Sequence, residues 1–229
     1  MKRKIELMMA LLLLVGVLIV SQKLSQYVSG EKVIAKKEEY RVIVDAGHGG
    51  EDPGKVGVND CLEKDLNLKI AKKVQEKLEK NKVQVIMTRT SDRMLANTKI
   101  ADMKERVSIM NKKRPVLAIS IHQNSYQDGA VKGAQVFYYA HSSEGEKAAQ
   151  IMQEALQVVD AENTRKVKAN DTYYLLKKTK VPTVIVECGF LSNQEEAQQL
   201  KTEEYQEKIA TSICEGAMQY IKIYRSCIK

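Results

Sequence analysis

From residue 41 onward, short apolar runs alternate with longer segments in which apolar residues recur at helical spacing. The short runs are rich in Val and Ile, and they predict strands over residues 41–45, 83–87, 116–121, 134–138 and 181–186. The helical spacing predicts helices over residues 63–80, about 100–114, about 143–159 and, in more than one piece, about 192–222. This alternation predicts an α/β domain with a mostly parallel sheet flanked by helices on both faces.

The N-terminus has a different pattern. A basic cluster, Lys2-Arg3-Lys4, precedes an apolar run from Leu7 to Val20, and no charged residue lies between positions 7 and 22. The run is shorter than the roughly 20 residues that cross a bilayer. A basic cluster before a short apolar segment is typical of a secretory signal, with a cytoplasmic N-terminus and an exported remainder.

Two interpretations of this N-terminal segment stay open. No Ala-x-Ala sequence follows the apolar run, so residues 1–22 are either an uncleaved membrane anchor or a cleaved signal peptide. Residues 23–39 are polar and rich in Lys, which predicts a tether. The folded domain is then predicted to span residues 40–224 and to lie outside the cytoplasm.

Composition and charge agree with one globular domain and an appendage. The 229 residues are 44% apolar and 29% charged, which argues against a disordered chain. Lys and Arg number 37 against 29 Asp and Glu, a net charge of +8 that favours polyanions in general. The export signal and the absence of a basic or aromatic nucleic-acid motif argue against a nucleic-acid partner.

The spacing of the cysteines does not indicate a metal-binding motif. Cys61, Cys188, Cys214 and Cys227 form no Cys-x-x-Cys pair. Export would permit disulfides, but the sequence supports none of the possible pairings. Free thiols packed as small apolar groups are the favoured interpretation.

Residues capable of metal and proton chemistry lie where predicted strands end. His48 follows the first strand, His122 ends the third, and Glu187 ends the fifth, while Glu63 begins the first helix of the domain. In an open α/β sheet, ligands bind outside the carboxyl ends of the strands, so these four side chains are expected to meet at one edge.

Two chemical interpretations of the four residues stay open at this point. Two imidazoles and one carboxylate suit a catalytic zinc site with an open fourth position, and a second carboxylate can then move the proton of a bound water. Alternatively, His48 and His122 are loop residues with polar neighbours, and Glu63 is favoured at its position by the helix dipole.

Six motifs in order resemble the zinc N-acetylmuramoyl-L-alanine amidases of bacterial cell walls. The resemblance covers about residues 40–222, and the motifs are Asp45-Ala46-Gly47-His48-Gly49-Gly50, Asp52-Pro53-Gly54, Glu63-Lys64-Asp65-Leu66-Asn67-Leu68, Thr88-Arg89-Thr90-Ser91-Asp92, Ser120-Ile121-His122-Gln123-Asn124 and Glu187-Cys188-Gly189-Phe190-Leu191-Ser192-Asn193. It implies a twisted, mostly parallel six-stranded sheet. It also implies that His48, Glu63 and His122 bind zinc and that Glu187 is the catalytic carboxylate.

The implied reaction is hydrolysis of the amide between N-acetylmuramic acid and the first L-Ala of the peptidoglycan stem peptide. The short N-terminal segment and single domain look most like the spore-cortex, germination-specific subgroup, whose reaction leads to muramic lactam. An amidase of vegetative wall turnover or cell separation, and a non-catalytic peptidoglycan binder anchored in the membrane, are the alternatives. The resemblance leaves open a requirement for an activating protein.

Asn124 and Arg165 are candidate substrate-binding residues. Asn124 follows His122 closely and either positions substrate or orients its own loop. Arg165 either meets stem-peptide carboxylates or is solvated. His141, the third histidine, follows the predicted fourth strand and is expected not to bind the metal.

Two further pairs of residues are expected to have structural rather than catalytic roles. Arg89 and Asp92 are expected to form an ion pair at the end of the second strand. Tyr173 and Tyr174 precede two Leu residues and are expected to pack in the core rather than to form a platform for a sugar.

Overall fold

A computed structural model describes residues 2–30 and 40–227. Helix α1 (Lys2–Gly30) belongs to one unit, and the described residues from 40 onward belong to a separate compact unit. The helix extends past the apolar run into the predicted tether, whose residues 31–39 lie outside the described part of the chain. Within the described residues, no helix combines the length and the apolar character needed to cross a membrane.

The compact unit is built on a six-stranded sheet, as the resemblance implied. Its strands are β1 (Arg41–Ala46), β2 (Gln84–Met87), β3 (Leu117–Asn124), β4 (Gln135–Tyr139), β5 (Lys168–Asn170) and β6 (Thr183–Phe190), in the spatial order β2-β1-β3-β6-β4-β5. Strands β1, β2, β3 and β6 are parallel to one another. Strand β4 runs antiparallel to β6, and β5 pairs with β4 in parallel. The apolar pattern did not predict β5, because this edge strand is short and polar.

Helices cover both faces of the sheet, as predicted. Their bounds are α2 (Glu63–Lys80), α3 (Lys99–Lys113), α4 (Ser143–Leu156), α5 (Tyr174–Lys178), α6 (Gln194–Lys201) and α7 (Glu203–Cys227). The larger core lies between the sheet and α2, α4 and α7, and the smaller core lies under α3 and α5. The predicted helix over 63–80 is confirmed at both ends.

The smaller core corrects the expectation for the two tyrosines. Leu175 and Leu176 are buried, but Tyr173 and Tyr174 are each 40% exposed. Short helix α5 directs its two Leu side chains into the core, so the preceding aromatic rings stay at the surface of the domain.

The direction of the strands decides which residues share an edge. The carboxyl ends of β1, β3 and β6 lie together, and His122 pairs in register with Glu187. Because β4 is antiparallel to β6, with Gln135 opposite Glu187, its far end lies at the opposite edge of the sheet. His141 follows that far end and is therefore separated from the other two histidines.

Candidate metal centre and active site

Three of the predicted residues converge at the carboxyl edge of the sheet. His48, Glu63 and His122 each offer a ligand atom, and these atoms lie within 4.8 Å of one another. Glu63 Oε1 is 3.2 Å from His48 Nε2 and 2.9 Å from His122 Nδ1. Two imidazoles and one carboxylate so arranged are a donor set that suits zinc with an open fourth position.

His48 is held in an unusual backbone conformation. Its φ is +60°, a left-handed value that few residues other than glycine adopt. Its Nδ1 atom is 2.7 Å from Asp52 Oδ2, which leaves Nε2 directed at Glu63. Burial opposes protonation of His48, yet the hydrogen bonds and charges of Glu63 and Asp52 raise its pKa to about 9. A carboxylate on the outer nitrogen is the arrangement that orients metal-binding histidines.

Glu63 is the first residue of α2 and is buried. Its Oε2 accepts a hydrogen bond of 2.8 Å from the backbone N–H of Lys55, and its Oε1 accepts one of 3.2 Å from that of Gln123. Burial alone would raise the pKa of Glu63, but His122 and His48 outweigh burial and hold the pKa well below its usual range. The group is therefore a carboxylate, as a metal ligand requires.

Glu187 lies beside this cluster on the neighbouring strand. It is buried, and its Oε2 has no hydrogen-bond partner among the described residues. Burial raises the pKa of Glu187 to about 7, although the nearby His122 has the opposite effect and lowers this pKa. A buried carboxyl oxygen without a partner is costly, and a substrate or a water in the site would satisfy it.

A buried ionic network supports the turn that carries His48. Arg106 of α3 donates hydrogen bonds of 2.6 Å to both Asp45 and Asp102, and one of 2.7 Å to the carbonyl of His48. Asp45 also accepts bonds from Ser120 and Thr88. The network was not predicted from the sequence, although an Arg next to the apolar stripe of α3 was a visible signal.

The prediction of an ion pair between Arg89 and Asp92 is wrong. Arg89 donates to the backbone carbonyls of Ala46 and Gly47, whereas Asp92 pairs with Lys64 at 2.7 Å. Arg89 is buried beneath the turn and its guanidinium is occupied by backbone carbonyls, including that of Ser91 at 3.1 Å. Both residues are nevertheless structural, because they hold the turn that contains His48.

The two candidate substrate-binding residues have partners within the protein. Asn124 Oδ1 accepts a hydrogen bond from the backbone N–H of Ser125 at 2.8 Å. Arg165 donates to the carbonyl of Lys132, and its guanidinium lies 4.6 Å from the centre of the Phe190 ring. These contacts describe their resting positions, and their roles toward substrate stay predictions.

The cysteines lie outside this chemistry. All four are free thiols in the structure, as favoured from the sequence. Cys188 is adjacent to Glu187 in the chain, but burial raises the pKa of its thiol far above the usual range. A buried neutral thiol is a poor nucleophile, so proximity to Glu187 does not make it reactive.

A cavity of about 400 Å³ opens beside the cluster on the face covered by α3 and α5. We call it the α3–α5 cavity. It is lined by His48, His122 and Glu187 of the site and, among others, by Lys99, Met103, Tyr173, Tyr174, Leu175 and Ile185. The volume falls in the range of about 300–1,000 Å³ that is usual for small-molecule sites.

Comparisons with known proteins show the family to which the chain belongs. Residues 42–219 match the family model described as N-acetylmuramoyl-L-alanine amidase. The chain is 39% identical over 187 residues to the germination-specific N-acetylmuramoyl-L-alanine amidase of Bacillus subtilis strain 168, and the match covers 78% of each chain.

Solved structures show the same fold. The CwlD amidase from Clostridioides difficile, in complex with the GerS lipoprotein, superposes with a TM-score of 0.77 at 37% identity, over 80% of this chain and 99% of that one. An N-acetylmuramoyl-L-alanine amidase from Clostridium difficile 630 gives a TM-score of 0.75 at 30% identity, over 81% and 98% of the two chains. On the family match and these relatives, the chain belongs to the N-acetylmuramoyl-L-alanine amidases.

Proposed function

We propose that this amidase is zinc-dependent, with His48, Glu63 and His122 as the metal ligands and Glu187 as the catalytic carboxylate. The observation that carries the proposal is the convergence of the three donor atoms beside the partnerless Glu187 Oε2. The substrate is the amide between N-acetylmuramic acid and the L-Ala of the peptidoglycan stem peptide. Asn124 and Arg165 stay candidates for contacts with that substrate.

The chain's own residues account for the proton movements and the positioning. Glu187, as a carboxylate, takes a proton from the attacking water at Oε2 and returns it to the nitrogen of the leaving amine. Zinc, when bound, polarises the scissile carbonyl and lowers the pKa of water. Asp52 keeps the Nε2 atom of His48 directed into the site, and Arg106 holds the backbone turn on which His48 lies.

A digestion experiment tests this function. The full chain, loaded with zinc, is incubated with purified peptidoglycan, and the products are analysed by mass spectrometry. We expect free stem peptides with an N-terminal L-Ala, loss of release on chelation, and recovery when zinc is restored. Cleavage within the glycan strand in place of the amide would contradict the function, and release that survives complete metal removal would contradict zinc dependence.

Removal of the carboxylate behind His48 is expected to weaken metal binding. Asp52→Ala leaves His48 Nδ1 without its 2.7 Å partner, so the imidazole is no longer held with Nε2 toward Glu63. Loss of such an outer carboxylate costs about 10–100-fold in metal affinity or activity. Zinc affinity is measured by competition with a chromogenic chelator.

Asp65→Ala is the matched control for that measurement, because Asp65 is an exposed residue of the same helix as Glu63. We expect its zinc affinity to equal that of the wild type. Equal affinities for Asp52→Ala and the wild type would show that the hydrogen bond does not orient His48.

A methyl group added at Gly47 is expected to displace His122. A Cβ atom at this position would lie 2.3 Å from Cε1 of the His122 ring. The backbone cannot yield easily, because the Gly47 N–H donates to the carbonyl of Ile121 and its carbonyl accepts from Arg89. Gly47→Ala should therefore lower zinc affinity by at least about tenfold, on the scale of losing one ligand's orientation.

Gly129→Ala is a control for the same substitution elsewhere. Its new methyl group would meet only the backbone oxygen of Ser192, at 3.2 Å. We expect wild-type zinc affinity and amidase activity for this variant. Full zinc affinity in Gly47→Ala would mean that the His122 ring has room to move without leaving the metal.

We propose a role in spore cortex maturation or germination, through muramic-lactam formation. The support is the likeness to a germination-specific amidase and to the CwlD amidase. Deletion of the gene is expected to give spores whose cortex lacks muramic lactam, and complementation with the Glu187→Ala variant should not restore it. Normal cortex in the deletion strain, with altered vegetative walls, would favour wall turnover instead.

We also propose an extracytoplasmic location, with attachment to the membrane through the N-terminal segment or release by cleavage, and an activating protein partner. The basic cluster before the apolar run supports export, and the complex of the CwlD amidase with the GerS lipoprotein supports a lipoprotein partner. Cell fractionation with an antibody to the domain separates the two forms. Protein confined to the cytoplasm would contradict both.

A further inference from the structure

We infer that the α3–α5 cavity binds the N-acetylmuramic acid ring of the substrate, with Tyr173 and Tyr174 as the aromatic wall against which the sugar lies. The inference rests on the proposed amidase function, because the sugar must carry the scissile amide. It assigns a substrate part to two residues that have no role in the proton chemistry above.

The exposure of the two rings is the first argument. Tyr173 and Tyr174 are each 40% exposed, whereas the adjacent Leu175 is 4% exposed, and all three line the cavity. Core packing therefore accounts for the leucine but not for the tyrosines. Tyrosine offers a large, amphipathic contact area at a small cost in side-chain entropy, as suits a surface that binds a ligand with an apolar face and polar edges.

Contacts within the protein hold Tyr173 in place before any ligand binds. Asn170 Oδ1 accepts hydrogen bonds from the backbone N–H groups of Thr172 and Tyr173, at 2.9 and 2.7 Å. The Tyr173 ring also lies 5.6 Å from the ring of Phe137, centre to centre. A surface that is already ordered loses little entropy on binding, so the Tyr173 ring can act as a preformed part of the platform.

The cationic groups of the cavity are paired with its carboxylates, which favours an uncharged ligand such as the sugar. Four carboxylate residues and only two Lys or Arg residues line the cavity. The Lys99 ammonium is 2.6 Å from Asp52, and the Arg106 guanidinium is 2.6 Å from Asp45, so both cations are already paired. Neither cation is therefore free to bind a carboxylate of the stem peptide, whereas the N-acetylmuramic acid ring is uncharged once its lactyl carboxyl is in the amide and needs no counter-ion.

The position of the cavity suits the sugar side of the scissile amide. His48, His122 and Glu187 line the same cavity as the two tyrosines. The scissile carbonyl belongs to the lactyl group on the sugar, so a carbonyl held beside these three residues places its sugar within reach of the tyrosines that line the same cavity. The volume of about 400 Å³ accommodates one ring with its N-acetyl group.

Paired substrates test the inference. One is an N-acetylmuramoyl peptide, and the other is a lactoyl peptide with the same amide and stem sequence but no sugar ring. We expect the wild type to have a higher kcat/KM for the sugar-bearing substrate. In the double variant Tyr173→Leu/Tyr174→Leu, the ratio of the two kcat/KM values should fall roughly tenfold, as for loss of one well-packed aromatic contact.

Two further variants make the result specific. Tyr173→Phe/Tyr174→Phe keeps both rings and should keep the wild-type ratio. Tyr126→Leu removes an aromatic residue that is 61% exposed but does not line the cavity, and it should also keep the ratio. Thermal unfolding midpoints show whether the leucine variant is folded.

Several outcomes would overturn the inference. These are equal kcat/KM values for the two substrates in the wild type, an unchanged ratio in the double leucine variant, and a lower ratio in Tyr126→Leu. A fall by the same factor on both substrates would place the tyrosines against the peptide or in a purely structural role. Failure of the wild type to cleave the amide of either substrate would overturn the proposed function itself.

Discussion

Replacement of Glu187 by Gln is expected to lower kcat for peptidoglycan cleavage by about 10²–10⁴-fold, the usual contribution of a positioned general acid–base group. The amide has nearly the same shape as the carboxyl group but cannot take a proton from water. Zinc content should stay at the wild-type level, because His48, Glu63 and His122 supply the donor set without Glu187. Product release is measured by mass spectrometry, and zinc by atomic absorption.

The pH profile gives a second readout of the same variant. Burial raises the pKa of Glu187 to about 7, and a cation held by the three neighbouring residues would lower it from that value. Since the carboxylate form is the active one, wild-type activity should fall as the pH falls through this pKa. The residual activity of Glu187→Gln should lack this acidic limb.

Glu146→Gln is the matched control for these measurements. Glu146 is an exposed residue of α4, and its side chain accepts a hydrogen bond from the Tyr138 hydroxyl. Its activity and pH profile should equal those of the wild type. Loss of zinc from Glu187→Gln would make Glu187 a ligand, and near wild-type turnover would remove it from the proton transfer.

Replacement of Arg106 by Met is expected to lower the free energy of unfolding by about 3–5 kcal/mol, the cost of leaving a buried charge without its partner. Asp45 is completely buried and would lose its 2.6 Å ion pair. The carbonyl of His48 would lose its donor in the same step. Zinc affinity should therefore fall together with stability, which is measured by urea unfolding of the metal-free protein.

The destabilisation should depend on pH in a defined direction. Burial would raise the pKa of Asp45, but Arg106 and the hydroxyl groups of Ser120 and Thr88 outweigh it and lower the pKa. A carboxyl whose folded pKa is lowered contributes stability above its unfolded pKa of about 4, and that contribution is lost as the pH falls through the folded value. In Arg106→Met, protonation of Asp45 then becomes favourable, so the difference from the wild type should shrink in acid.

Lys104→Met tests the same chemical change on the exposed side of α3. Surface substitutions usually stay within about 0.5 kcal/mol of the wild type, and we expect that here. Arg106→Lys keeps the charge but loses the planar fork, so it should recover only part of the stability. A stability loss in Arg106→Met no larger than that of Lys104→Met would contradict a supporting role for the network.

The local elements of the domain were largely predictable from the sequence. The helix predicted over residues 63–80 occupies Glu63–Lys80, because helical spacing and terminal signals are read from neighbours along the chain. The strands that carry His122 and Glu187 were found for the same reason, although both extend beyond their predicted ends. Strand β5 has too few apolar residues for any periodicity to be detected.

The chemistry of the site was also present in the sequence as motifs. Two imidazoles and two carboxylates at the ends of strands and at a helix start implied an α/β edge site. The partners that hold these groups were not predictable, because Arg106 is separated from Asp45 by 61 positions and Asp45 from Ser120 by 75. No spacing rule reaches such separations.

The sequence by itself determined the family, the principal elements of the α/β domain and the residues available for metal and proton chemistry, since each depends on residue type and local pattern. The tertiary structure alone decided that β4 and β5 run against the other strands, that Arg106 rather than Arg89 pairs with a buried carboxylate, and that Tyr173 and Tyr174 line a cavity. These features depend on strand direction and long-range packing. An apolar run has the same period in either direction, and a side chain's partners come from distant segments that only the folded chain brings together.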